Sequence, residues 1–545
     1  MPIFPLSRRC KARSTGACAG AAFILSVFLV LQAPAQAPAS SDADGAVAGR
    51  ILLVLPFDNR GNQPSLEWIR EAAAELLSRR FDSAGFAPMS REDRLYALDH
   101  LGLPEGFQPS RASSLRLAQT LDADSVVVGS FQTDGATIEV EARVLDVPHL
   151  RMSAPVTARG QMRDLIDVFD SLAWKLTKEM DPGFNVGEET FVAAGKGLRL
   201  DAFEQYIRGI TEPDQAERLR HLQQAVKLSP DFGSAWMALG REDYNGQQYE
   251  QAAEAFAKVD RNDPDALEAG FYRGLSLVFS GSYVSAEEAF SGVARVLPLA
   301  EVLNNQGVAI SRQGHDGRAQ FRAAVAADPN AADYHFNLAV SEKRQGETSQ
   351  ALTEIAQCLK LRPNDSEAQG LQTAWKGAPS ASDPQTNVDP LERIVRTFDA
   401  VAFRQAALMM DQMEASRLAA LSPHDRAVKL NSQAKEYLDR GLLLESERLY
   451  QSAVAADRAL APAHAGLAEV RERTGDAAGS RKEAQAALAL QPSADAYLVL
   501  GRLDFEANHL EDAGKEAGEA LRLDPQSRSA QELSRQIESK AGQKQ

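Results

Sequence analysis

Residues 233–264 have the sequence GSAWMALGREDYNGQQYEQAAEAFAKVDRNDP. Within this stretch Gly240 and Ala252 are small, Phe256 is large, and Pro264 closes the run. Small residues let two antiparallel helices approach each other closely, a large residue fills the space beside them, and a proline ends a helix. The stretch therefore predicts a helical hairpin.

The hairpin pattern recurs along the chain. Prolines return at a nearly constant interval, at Pro230, Pro264, Pro298, Pro329 and Pro363. Similar residues repeat between them and again near the C-terminus: Trp236, Leu239, Gly240, Ala252, Phe256; then Gly274, Ala286, Phe290; and last Tyr497, Leu500, Gly501, Ala513, Ala517, Ala520 and Pro525. The sequence resembles the tetratricopeptide repeat family in both its interval and its residues. This resemblance implies all-α solenoid arrays over residues 199–375 and 391–535, the first ending in a cap helix.

The two arrays are separated by a polar stretch. Residues 376–390 are rich in Pro, Ser, Asp and Gly, which predicts a linker. Residues 391–413 then have apolar side chains at helical spacing, so a further helix is expected there, and residues 536–545 form a tail. Three methionines cluster in the predicted helix, and they either fill an irregular core or offer an adaptable binding surface: Met409, Met410 and Met413.

The N-terminus has the features of an export signal. Four basic residues precede the apolar run 17–31, and Ala33-Pro34-Ala35 provides small residues for cleavage before Gln36. Residues 1–35 are therefore predicted to be a signal peptide and residues 36–49 a flexible leader. An uncleaved anchor is the alternative, although fifteen apolar residues are short for a span of about 20. After cleavage we expect an exported chain that does not span the membrane.

Composition excludes a wholly disordered, a collagen-like and a multi-span membrane protein. The 545 residues are 44% hydrophobic and 25% charged, which is ordinary for globular domains. The net charge is −16, and losing a signal peptide with four basic and no acidic residues makes it −20, which argues against a general affinity for nucleic acid. Cys10 and Cys18 leave with the signal peptide. Cys358 alone remains, so neither an internal disulfide nor a cysteine-cluster metal site is expected, and its place in a repeat predicts an inert packing role.

Residues 50–185 predict a different fold. The aliphatic run 51–55 has the character of a strand covered on both faces, and Ser65 is a plausible N-cap for the helix that follows the next turn. Further on, a strand around 126–131, a turn at Asp134-Gly135 and an alternating strand at 138–144 predict a hairpin. A helix from about residue 165 completes an α+β domain in which a sheet packs on helices.

Three segments carry a second resemblance: ILLVLPFDN at 51–59, DADSVVVGS at 122–130 and RVLD at 143–146. They look like the TolB N-terminal and FlgO-type domains of the bacterial envelope. The resemblance extends over most of the domain and rests mainly on core strands. It implies the fold of this domain and a role in assembly within the envelope.

The sequence contains no recognisable catalytic signature. There is no Gly-x-Ser-x-Gly nucleophile motif, Gly195-Lys196 lacks the rest of a phosphate loop, and no two of the eight histidines have metal-binding helical spacing. We therefore expect no enzyme, no cofactor and no metal. The polar loop 58–62 follows a strand end, so it is either a ligand loop or a hydrogen-bonded turn leading into a helix.

The predicted function is a non-enzymatic scaffold of the cell envelope that binds protein or peptide partners. In the resembled family the first helix of each unit lines the concave face, which implies partner contacts at positions 5, 9 and 12. These residues are Met237, Arg241, Tyr244, Phe271, Leu275, Val278, Phe336, Val340 and Lys343. Packing between repeats is the alternative, and because Arg241 and Lys343 stand apart no carboxylate clamp is expected. The other function considered is binding of a small ligand or carbohydrate at the loop 58–62.

Overall fold

A computed structural model describes residues 51–104, 110–377, 389–398, 409–410 and 413–542. The predicted signal peptide and leader lie outside these ranges. Across the described part of the chain, no helix combines the length and the apolar character that a membrane crossing requires.

The N-terminal region is built on one sheet. Its central strands run in the order β3-β1-β4-β5, with β6 and β7 on the far side of β5 and β2 added to β4. The hairpin between β4 and β5 turns at Asp134-Gly135, where Gly135 has φ +97°. The elements are β1 (Ile51–Val54), β2 (Asp58–Asn59), α1 (Trp68–Ser83), β3 (Ala87–Pro88), α2 (Arg91–His100), α3 (Arg111–Thr120), β4 (Ser125–Thr133), β5 (Thr137–Asp146), β6 (Arg151–Met152), β7 (Val156–Gln161) and α4 (Leu165–Met180).

Helices cover both faces of this sheet. Side chains alternate along β1, so Leu52 packs with α1 and α4 while Leu53 packs with α2 and α3. The predicted α+β fold is confirmed. The predicted N-cap at Ser65 is wrong: a 3-10 turn occupies Pro64–Leu66, and α1 begins at Trp68 after Glu67.

Helical hairpins follow from residue 200. Their close packing requires glycine, since a Cβ on Gly240 would lie 2.7 Å from the Phe256 ring and one on Gly274 would lie 2.6 Å from Phe290. The predicted all-α array is confirmed. Its helices, after α5 (Glu188–Ala194), are α6 (Leu200–Thr211), α7 (Gln215–Leu228), α8 (Gly233–Asn245), α9 (Tyr249–Phe256), α10 (Ala266–Phe279), α11 (Tyr283–Val296), α12 (Ala300–Arg312), α13 (Arg318–Ala327), α14 (Ala332–Arg344), α15 (Thr348–Leu361) and α16 (Ser366–Lys376).

The helix expected from residue 391 does not begin there. Residues 391–398 have no regular secondary structure, and residues 399–408 and 411–412 lie outside the described residues, as do residues 378–388 of the predicted linker. The core role considered for the three methionines also fails, because Met409, Met410 and Met413 are 62%, 53% and 54% exposed.

A second set of hairpins follows from residue 423 and packs against the N-terminal region. Contacts are made in α5 and just before it: the Thr190 hydroxyl lies 3.1 Å from that of Thr474, and the Gln451 amide donates to the Asn185 carbonyl that precedes α5. The two parts therefore share an interface. These helices are α17 (Pro423–Asp439), α18 (Leu443–Ala456), α19 (Ala461–Thr474), α20 (Ala477–Leu490), α21 (Ala494–Glu506), α22 (Leu510–Leu523) and α23 (Arg528–Gly542).

Candidate functional site

The first helices of successive units form a groove that holds a segment of the same chain. This groove is formed by α10, α12, α14 and α16, and residues 389–398 lie along it without regular secondary structure. The start of the segment contacts Arg344 on α14, and its end contacts Phe271 on α10. The segment therefore runs opposite to the order of the repeats.

Asparagine side chains hold the backbone of this segment. Asn337 accepts from the Arg393 N–H at 2.7 Å and donates to the Arg393 carbonyl at 2.6 Å. Asn305 does the same for Val395, at 2.9 and 2.7 Å, and Asn304 also donates to the Arg393 carbonyl at 3.1 Å. All three asparagines are fully buried, and Asn337 donates to the Asn304 amide oxygen. Because the bonds go to main-chain groups of alternate residues, they fit any extended polypeptide.

The carboxylate of Glu392 lies in a basic pocket. The Glu392 pocket consists of Ser311, Arg312 and Arg344: the hydroxyl and the Arg344 guanidinium both donate to the carboxylate, and Arg312 Nε lies 3.2 Å from it. The Glu392 side chain is 1% exposed. A carboxylate buried this deeply requires paired charges, and two arginines supply them.

The guanidinium of Arg393 lies in an acidic pocket beside it. The Arg393 pocket consists of Asp333, Phe336, Asp365 and Glu367, whose three carboxylates lie 2.6 to 2.9 Å from the guanidinium nitrogens. The guanidinium also stacks over the Phe336 ring, 3.6 Å from its centroid. Hydrogen bonds from Arg393 lower the pKa of Asp365 to about 2, so this carboxylate is ionised at neutral pH.

The last part of the segment makes apolar and aromatic contacts. Ile394 and Phe398 pack against the hydrophobic cluster that contains Phe271, and the Phe398 ring lies 5.5 Å from the Phe271 ring. Arg396 lies over Phe279 at 5.0 Å. The segment thus has two charged anchors at one end and an aromatic anchor at the other.

Several of the residues predicted to contact a partner lie inside the array. Phe271 and Phe336 are buried, yet the rings of both contact the segment. Met237 is buried among residues of its own and the next unit, and Leu275 and Val340 are also buried. Phe271 and Phe336 therefore pack between repeats and also contact the segment of the same chain, while their contact with a partner stays a prediction.

Three other residues that were predicted to contact a partner, Arg241, Tyr244 and Lys343, have contacts within the chain. Arg241 contacts Glu268 at 2.6 Å and Glu92 of the N-terminal region at 3.2 Å, at the edge of a charged cavity of about 530 Å³ between that region and the first units. Tyr244 lies in a cluster of aromatic rings, while Lys343 donates to the Thr348 hydroxyl at 3.0 Å. Arg241 and Lys343 thus have structural partners.

The array does hold a carboxylate, at residues other than Arg241 and Lys343. The Glu392 pocket uses Arg344, the neighbour of Lys343, with Arg312. The sequence carried a signal, because three pairs of polar residues are separated by one and the same interval, close to the spacing of the repeats. The pairs are Asn305 with Asn337, Arg312 with Arg344, and Asp333 with Asp365. Polar residues that recur at the period of the helices indicate a shared face.

The other sites considered have local explanations. The side-chain amide of Asn59 donates to the Gln63 carbonyl and to Glu67, so the loop 58–62 has the bonding of a turn. Cys358 is fully buried, and burial raises its thiol pKa to about 11. In the described part of the chain, no group of three or more His, Cys, Asp or Glu side chains is placed to hold a metal ion.

The helical hairpins around the groove are tetratricopeptide repeats. The family model of that description matches residues 237–300 and 311–368, which include the whole of α10 and α14 and parts of α12 and α16. Repeats of this kind mediate protein–protein interaction. No curated protein matches the chain.

Several solved structures are similar to parts of the chain. MamA residues 41 to the end from Desulfovibrio magneticus RS-1 is 21% identical, with 31% of this chain and 100% of that one covered and a TM-score of 0.29. YrrB, described as a TPR protein with an unusual peptide-binding site, is 16% identical, with 37% and 99% covered and a TM-score of 0.28. The LpoB C-terminal domain from Salmonella enterica is 20% identical, with 22% and 89% covered and a TM-score of 0.19.

Proposed function

We propose that this protein is a non-enzymatic scaffold of the bacterial cell envelope whose first array binds an extended segment of a protein partner. The observation that carries the proposal is the pair of asparagines, Asn337 and Asn305, that bond both the N–H and the C=O of alternate residues in the groove. A polypeptide backbone supplies this arrangement of donors and acceptors at the required spacing, and a small ligand does not.

The charges of the groove support the same conclusion. A partner that lacked counter-charges would leave the partly buried Arg312 and Arg344 and the buried Asp365 with fewer partners, at a cost in free energy. The groove therefore selects polypeptides by their charged side chains while holding them by their backbone. Such division of roles suits recognition of a defined segment within a larger protein.

Two features of the sequence support the envelope as the place of action. One is the signal peptide predicted for residues 1–35, and the other is the resemblance of residues 50–185 to TolB N-terminal and FlgO-type domains. Expression of the full chain with a C-terminal tag, followed by fractionation and mass spectrometry, tests the location. We expect a periplasmic product that begins at Gln36, and a cytoplasmic product that keeps Met1 would contradict export.

Recovery of partners from the envelope tests the binding role. We would compare the full chain with the triple variant N304A/N305A/N337A, which removes the backbone contacts. The matched control is N245A/N262A/N330A, three exposed asparagines of the same array. We expect the wild type and the control to recover the same protein and the groove variant to lose it at unchanged helicity. Equal recovery by all three would place binding elsewhere.

A further inference from the structure

The groove is filled by the protein itself, and this has a consequence for any partner. Residues 389–398 use the asparagines, the Glu392 pocket and the Arg393 pocket that the proposed function assigns to a partner. A partner segment and this segment cannot bind at the same time. The chemistry of the partner that these contacts select rests on the proposed function.

The groove recognises the side chains of the segment as well as its backbone. Glu392 and Arg393 are adjacent, yet each enters a pocket lined with the opposite charge. Exchanging the two residues would place a carboxylate among three carboxylates and a guanidinium against two others. Like charges brought together in a partly desolvated site repel strongly.

An aromatic residue of the segment also fixes its direction in the groove. Phe398 lies five residues after Arg393 and reaches the Phe271 ring on α10, while Arg393 reaches α14 and α16. Charged and aromatic anchors at the two ends fix both the direction and the position of the bound chain. A backbone-only contact would fix neither.

We propose that residues 389–398 are a built-in ligand of the first array, displaced by a partner whose extended segment carries a Glu-Arg pair followed five residues after the arginine by an aromatic residue. A ligand joined covalently to its site competes at an effective concentration on the order of millimolar. The partner therefore binds the filled array more weakly than an array from which the built-in ligand has been released.

The test uses a fluorescein-labelled synthetic peptide with the sequence of residues 389–398 and the full-length chain. The opened variant E392A/R393A loses both charged anchors of the built-in ligand and leaves the groove unchanged. The control is L391A/T397A, since both side chains are exposed in the same segment. We expect the opened variant to bind the peptide at least tenfold more tightly than the wild type and the control, and addition of N304A/N305A/N337A to abolish this binding.

The charge pattern is tested with a second peptide in which the Glu and the Arg exchange places. It has the same composition, so loss of binding to the opened variant reports the order of the charges. Equal binding of both peptides, or equal binding of the native peptide by wild type and opened variant, would overturn the proposal. If E392A/R393A unfolds at a lower temperature than the wild type, E392R/R393E serves as the second opened variant.

Amide hydrogen exchange of the wild-type chain is a test that needs no opened variant. The amides of Arg393 and Val395 bond to asparagines, so they should exchange slowly with solvent. Saturating unlabelled peptide should accelerate their exchange, and unchanged exchange at saturation would contradict displacement. A wild type that is dimeric at micromolar concentration through exchange of this segment would also overturn the intramolecular ligand.

The results separate this inference from the proposed function. Tight peptide binding by the opened variant without recovery of any envelope partner supports the built-in ligand and contradicts the scaffold role. Recovery of a groove-dependent partner equally by wild type and opened variant supports the scaffold role and overturns the built-in ligand.

Discussion

Arg393 and Asp365 form a two-pronged ion pair, in which the two guanidinium nitrogens lie 2.6 and 2.9 Å from the two carboxylate oxygens. The pair joins the extended segment to α16, the last helix of the groove. Arg362, Asp333 and Glu367 are the other charged groups beside it. The charge of Asp365 should therefore decide much of the strength with which the groove holds an arginine.

The pH dependence follows from the lowered pKa of Asp365. Its pKa falls from 3.8 to about 2 through the hydrogen bonds from Arg393, so its contribution is complete above about pH 4 and is lost as the pH falls toward 2. From pH 7 to pH 5, the contribution of Asp365 to the affinity of E392A/R393A for the labelled peptide should stay constant. D365N should weaken binding at pH 7 by about 1.5–3 kcal/mol. A fall in affinity for the labelled peptide between pH 7 and pH 5 that is absent in D365N would contradict this assignment.

Two glycines in helices of neighbouring units should respond in opposite ways to alanine. A Cβ on Gly240 meets the Phe256 ring at 2.7 Å, whereas nothing lies within 4 Å of a Cβ on Gly292. We expect G240A to lower the free energy of unfolding by about 1–3 kcal/mol through overpacking. G292A should raise it by about 0.5–1 kcal/mol through helix propensity. Thermal or urea unfolding measures both, and equal effects would mean that the repeat packing differs from that described.

The thiol of Cys358 should be unreactive in the folded protein. It is fully buried on α15, and burial raises its pKa to about 11, so the thiolate is scarce at pH 8. Maleimide treatment should leave the mass of the native mature chain unchanged and add one group after unfolding in urea. Rapid modification of the native chain would show that α15 opens easily.

Cleavage within residues 378–388 should not separate the two parts of the chain. The second set of hairpins contacts the N-terminal region at Thr190 and Thr474, and the segment after the cleavage site lies in the groove. Limited proteolysis followed by gel filtration should give two bands on a denaturing gel and one peak at native size. Elution of the C-terminal fragment alone would show that these contacts are weak.

The repeats could be predicted from the sequence because close helix packing restricts residue size at fixed intervals. Gly240 and Gly274 are examples, each facing the ring of a phenylalanine in the same hairpin. The strands of the N-terminal region could be predicted for a similar reason, since the alternation in β5 reflects one buried face and one exposed face. These patterns are local, so a single sequence displays them.

The filled groove could not be predicted in the same way. Leu391, Ile394, Val395 and Phe398 are spaced as on one face of a helix, and that spacing predicts a helix. Contacts with distant residues override it: the backbone groups that a helix would pair internally bond to Asn305 and Asn337 instead. Nothing in the local sequence indicates that such partners exist.

The two asparagine contacts also limit how a bound chain can shift along the groove. Asn337 and Asn305 hold residues 393 and 395, and in an extended chain the residue between two such residues has its backbone groups on the opposite side. A shift of one residue would turn every side chain away from its pocket, whereas a shift of two would restore the backbone bonds. A partner with Glu-Arg repeated in tandem should therefore occupy several equivalent registers, and a partner with a single Glu-Arg pair should occupy one.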